Sequence, residues 1–138
     1  MKKQLFILLV FFLFIVSKTF SQSFTFDISK VNDFIVEVYA DVVNDLGYNS
    51  PEGTERFTKV LKRFEIITST TLPENYRFLS EIPVINTYNK ELKSEEIFDP
   101  QNFNPFKYKF DVFSKDRTVY YLVDNTDYII IIHPDQKF

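Results

Sequence analysis

Four consecutive isoleucines, Ile129 to Ile132 in the stretch "DYIIIIH", constrain this chain more than any other feature. β-branched side chains crowd a helix and suit a pleated strand, and a run without alternation is apolar on both faces. The run therefore predicts a central strand covered on both sides. The preceding sequence supplies neighbours for it. "KYKFDVF" alternates with Tyr108, Phe110 and Val112 on one face, "SKDR" turns, "TVYYLVD" returns, and "NT" turns again into the isoleucines. This pattern is an antiparallel meander.

Upstream, "SFTFDI" places Phe24 and Phe26 on one side, as a strand or an extended lead-in. Ser29 can then cap a helix in which Val31, Phe34, Ile35, Val38, Val42 and Leu46 recur at helical spacing, with Gly47 as its stop. "FIVEVYADVV" also alternates tolerably as a strand, but the caps and the length favour a helix. Val36, Tyr39 and Val43 widen the apolar face to about half the circumference at ~100° per residue, as in a helix cradled by a sheet. Asn49, Ser50, Pro51 and Gly53 mark a turn, and a second helix is expected from about Thr54 to Phe64, with Phe57, Val60, Leu61 and Phe64 on its stripe. "EIITST" reads as a short strand and "IPVINTY" as an edge strand, because Pro83 lacks an amide donor. The fold class expected is α+β: two N-terminal helices packed on an antiparallel sheet of four to six strands, cone- or roll-like. In order and size this layout resembles the cone-shaped folds of the nuclear transport factor 2-like and cystatin-like type. No shared motif carries that likeness, so it implies no residue roles.

The first 21 residues are expected to lie outside this fold. Lys2 and Lys3 precede an unbroken apolar run, Leu5 to Val16, and Thr19 and Ser21 stand at −3 and −1 of a small-residue cleavage site. The run is shorter than the ~20 residues needed to cross a bilayer, so residues 1–21 read as a secretory signal peptide and 22–138 as a single domain with no membrane span after cleavage. The expected location is the periplasm or the exterior. Cleavage removes Lys2, Lys3 and Lys18 and no acid, leaving 13 basic against 19 acidic residues, a net charge of −6. That balance repels phosphate backbones and argues against nucleic-acid binding. With no cysteine in the chain, an exported domain of this size must be held by apolar burial, and the 12 phenylalanines and 8 tyrosines that remain provide for it.

The same composition closes many chemistries. Two glycines, Gly47 and Gly53, cannot assemble a dinucleotide fingerprint or a phosphate-cradling loop in the usual way. With no thiol, one histidine and the initiator as sole methionine, zinc fingers, iron–sulfur clusters and blue-copper sites are excluded, and no metal or cofactor is implied. Paired carboxylates could still act as acid and base, but 19 acids scattered along the chain single out no pair. Asp33, Glu37, Asp41 and Asp45 recur every four residues on the first helix, opposite Arg56, Lys59, Lys62 and Arg63 on the second. These rows read as solvated faces with some mutual compensation, or else as a docking face for a cationic partner.

Two further motifs invite a site. His133-Pro134-Asp135 resembles the triplet of J-domain co-chaperones, which sits in a loop between two helices. Here it follows a strand with three residues remaining, so His133 reads as a strand-end residue near the surface. The loop "IFDPQNFNPF" holds Phe98, Phe103 and Phe106. Folded back, these rings cover the isoleucine strand, which is the favoured reading. Exposed, they form a candidate binding patch.

The functional expectation is a non-catalytic module that binds a protein or an envelope component. The alternative is a small apolar-ligand carrier or carboxylate-based enzyme with a pocket between the first helix and the sheet. Such a pocket needs polar groups facing inward, for which Asp111, Asp124 and Asn86 are the candidates.

Overall fold

The computed structural model of the chain describes residues 21–135, so the expected signal peptide, save Ser21, lies outside the described residues. Seven regular elements follow one another: β1 (Ser23–Thr25), α1 (Val31–Tyr39), α2 (Pro51–Leu61), β2 (Phe64–Thr68), β3 (Arg77–Phe78), β4 (Val119–Leu122) and β5 (Tyr128–Ile132). The fold is α+β, with one sheet in the order β1-β2-β5-β4-β3. Two expectations are corrected. The helices do not open the domain, because "SFT" pairs as a strand ahead of them. The sheet is mixed rather than antiparallel, because β3 runs parallel to β4.

The isoleucine strand is central. It pairs with β2 through Ile66↔Ile130 and with β4 through Tyr121↔Ile130, and Ile129 to Ile132 are all buried. Ile130 and Ile132 join a core cluster with Phe64, Ile66, Phe103 and Tyr121. Ile129 and Ile131 point to the other face, beside Ile67, Leu122 and Tyr120. The hairpin turn before β5 is closed by the Val123 N–H on the Tyr128 carbonyl, with Asn125 at φ 57°, a value Asn tolerates well.

The first helix is shorter than its periodicity suggested. Asp27, not Ser29, caps its start by accepting the Ser29 N–H into a 3-10 turn, Ile28–Lys30, that runs into α1. Val31, Phe34, Ile35 and Val38 are buried at i, i+3, i+4 and i+7, but Val36 is 49% exposed, so the apolar face is narrower than half the circumference. At Ala40 the helix breaks, with φ 46° and ψ −130°, and a 3-10 turn, Ala40–Val43, follows. Gly47 sits at φ 65° in the subsequent turn. The second helix starts three residues early: Ser50 Oγ accepts the Gly53 N–H and Pro51 occupies the first turn, where its missing N–H costs nothing. It also ends early, and Phe64 belongs to β2.

The larger departure lies between residues 82 and 113. Neither "IPVINTY" nor "KYKFDVF" is a strand: one isolated bridge joins Val84 to Tyr108, flanked by Ile85 N–H to Lys107 O and Lys109 N–H to Pro83 O. The Phe110 N–H turns back to Tyr108 O and the Val112 N–H to Phe110 O, which curls the chain out of any ladder. Tyr108 and Phe110 still point inward together, as their alternation predicted. They form an aromatic layer with Phe103, whose ring stacks on Tyr108 at 5.4 Å and meets Phe110 at 6.4 Å. Phe106, from the same segment, enters the helix cluster against Phe34 and Phe57. The two clusters adjoin through Phe26, Val60 and Val84.

Candidate functional site

The aromatic layer creates one polar problem and one open surface. Asn104 and Lys107, at 1% and 6% exposure, are buried polar residues within this segment. Asn104 caps the 3-10 turn Pro105–Lys107 by accepting the Phe106 N–H, and its amide donates to the Phe34 carbonyl (3.0 Å) and to Glu37 Oε2 (2.8 Å). Lys107 Nζ reaches Glu95 Oε1 at 2.7 Å and Glu37 Oε1 at 3.4 Å. Burial pulls the Lys107 ammonium down, but the two carboxylates together outweigh it and hold the group above its ordinary value. Glu37 was expected on a solvated acidic row. It is instead the anchor through which α1 holds the 95–108 region.

Above this network lies a groove of about 540 Å³ between the 3-10 turn Leu79–Glu81, residues 94–98 and the β4–β5 turn. Leu79, Tyr108 and Val123 form its apolar floor, with partly buried Phe98 beside them. The rim carries Glu95, Glu96 and Asp124, with no basic side chain among the lining residues, and Ile97 stands 86% exposed at the edge. Asp124 is fixed by Ser80, whose hydroxyl and N–H donate to its two oxygens at 2.6 and 3.0 Å. Those bonds hold its carboxyl below the usual range. The Tyr108 hydroxyl accepts the Glu95 N–H at 2.9 Å, and burial pushes its pKa up, so it remains a neutral donor. Each of these three groups, Asp124, Lys107 and Tyr108, keeps one protonation state through neutral pH. General acid–base catalysis asks for the opposite, a group poised near the working pH.

Of the residues singled out from sequence, Asp124 and Phe98 line this groove. Phe103 and Phe106 are buried in the two core clusters. Asp111 is exposed and faces Arg117 at 3.7 Å, and Asn86 is exposed. The space between α1 and the sheet, where a ligand pocket was considered, is filled by the 103–110 segment. His133 lies at the surface end of β5, with its ring nitrogen 2.9 Å from Glu65, which also accepts from Ser23 Oγ at 2.7 Å. No hydroxyl is placed against the imidazole among the hydrogen bonds of the described residues, and no cluster of metal-ligating residues occurs among them. No helix of the described residues is long and apolar enough to cross a membrane. The Ser80–Asp124 pair and the Lys107 network were not legible in sequence, since the partners are 12 to 70 residues apart. Comparison with protein-family models, curated proteins and solved structures finds no match to this chain.

Proposed function

We propose that the chain is a non-catalytic binding module, released as a roll-like domain of residues 22–138 by cleavage after Ser21, that engages a protein or envelope component outside the cytoplasm. The observation that carries this reading is the groove: an apolar floor under a rim whose charged lining residues are all acidic. Such a surface suits a partner segment that presents a lysine or arginine beside an apolar side chain, the cation at Glu96 and Asp124 and the apolar group over Leu79 and Phe98. Fixed protonation states and satisfied hydrogen bonds support a holding role over a reactive one. The filled space beneath α1 favours surface recognition over enclosure of a small ligand.

Native mass spectrometry of the protein purified gently from its own envelope or medium is the direct test. The expected species is a chain beginning at Gln22 together with a second polypeptide. E96Q and I97S, both exposed substitutions, should weaken that association without altering the melting temperature. A retained small molecule would replace this reading by the carrier, and an intact N-terminus would remove export with cleavage.

A further inference from the structure

On the opposite edge of the sheet, β4 is longer than the strand beside it. β3 pairs only at Arg77↔Tyr121 and Phe78↔Leu122, so the Val119–Tyr120 half of β4 has no strand outside it. The direction of its backbone groups follows from the hairpin. Because the Val123 N–H bonds Tyr128 O, alternation turns the groups of Tyr121 and Val119 toward β5 and those of Tyr120 and Thr118 outward. Residues 73–76, which would continue β3 alongside, bend away and make no backbone hydrogen bond to Thr118 or Tyr120. In place of a strand there is a groove of about 670 Å³ between the two segments.

The groove is flanked by charge of the sign that the rest of the molecule lacks. Arg77 and Arg117 line it, with Glu74 the one acid among the lining residues, on a chain with more acids than bases. Neither guanidinium is tightly held: Arg77 Nη2 is 3.5 Å from the Glu81 carbonyl, and Arg117 is 74% exposed and 3.7 Å from Asp111. Arg77 is level with Tyr121 and Arg117 lies four residues before it, about 13 Å along an extended edge. Tyr76 and Tyr120 supply ring surface on either wall.

We propose that this edge is a strand-addition site: an extended peptide segment of a partner pairs with the Thr118 C=O and the Tyr120 N–H, and carboxylates four residues apart meet Arg77 and Arg117. Main-chain bonding supplies affinity, and the arginine pair selects acidic sequences. The site is separate from the acidic groove and stands or falls independently of it.

The test uses the processed chain and the probe acetyl-Glu-Val-Thr-Val-Glu-amide. Amide exchange by NMR should show the Tyr120 N–H exchanging fast in the free protein, with Val119 and Tyr121 protected, and slowing at least tenfold when the probe is added. In fluorescence anisotropy a labelled probe should bind about tenfold more weakly to R77Q/R117Q, the loss of one charge-assisted contact. It should bind undetectably when its central amides are N-methylated or its glutamates replaced by lysines. A Tyr120 amide already protected in the free chain overturns the proposal. So does binding indifferent to N-methylation, or no binding at millimolar probe.

Discussion

Lys107 shows how a single residue can fix a segment that has no regular structure. Its ammonium is sheltered, while its partners Glu37 and Glu95 keep 43% and 30% of their side chains exposed. Breaking a fully buried pair costs about 3–5 kcal/mol, and partly exposed carboxylates can recover some hydration. K107M, which keeps the length of the stem, should therefore cost about 2 kcal/mol in urea unfolding at neutral pH. A loss below about 0.5 kcal/mol would place the 95–108 segment on its aromatic packing alone. His133 gives the contrasting case. It is 48% exposed, and its carboxylate partner also accepts from Ser23. H133A should shift stability by no more than about 0.5 kcal/mol, the range of a surface pair, and a larger change would show that the end of β5 is anchored through the ring. The sequence made the role of His133 legible because strand, proline and chain end are all local signals. It hid Lys107, since alternation in "KYKFDVF" puts that residue opposite Tyr108 and Phe110, on a face that would be solvent if the segment were a strand.

At the scale of elements, legibility followed the range of the interactions. Caps, the Pro51 start and the isoleucine strand are set within a few residues and were readable, whereas "KYKFDVF" has strand composition and a non-strand backbone. Its inward rings found the helix and sheet clusters before its amides found a ladder. The break after α1 was also unreadable, because Ala40 occupies φ 46°, ψ −130°, a region suited to glycine. An alanine there stores strain of order 1–3 kcal/mol. Replacing Ala by Gly normally costs a helix about 0.5–1 kcal/mol, so A40G has an inverted sign here: it should raise the melting temperature by stabilising about 1 kcal/mol. A fall in melting temperature would mean that α1 continues through Ala40. Gly53 gives the complementary case. A Cβ on it would fall on the backbone oxygens of Gly47 and Tyr48, which cannot swing aside as a side chain can. G53A, a favourable change in an ordinary helix, should cost about 2 kcal/mol and detach the start of α2 from the preceding turn.

For the whole molecule, the protonation of its paired and buried groups predicts an asymmetric dependence on pH. On the acid side, Glu65 is lowered by the Ser23 hydroxyl and then by His133, and Asp124 by Ser80. Groups depressed in the fold stabilise it above their unfolded values of about 4, and that contribution fades as pH falls through the folded values. These carboxylates are largely solvated, so the acid limb should be shallow. On the alkaline side, burial raises Tyr39, Tyr108 and Tyr121, and Glu95 and Glu37 raise Lys107. A raised group contributes fully below its unfolded value, about 10, and loses that contribution as pH rises through the folded one. Unfolding midpoints in urea should thus be nearly flat from about pH 5 to 9 and drop steeply above about 10. Tyr121, 1% exposed and accepting the Asp111 N–H at 2.9 Å, should account for part of that drop. Y121F should lose about 1 kcal/mol at pH 7 through the missing hydrogen bond yet fall less steeply above pH 10. If the variant and the parent fall in parallel above pH 10, the alkaline limb belongs to Lys107 and the other tyrosines, and the phenol of Tyr121 is not the group whose ionisation the core resists.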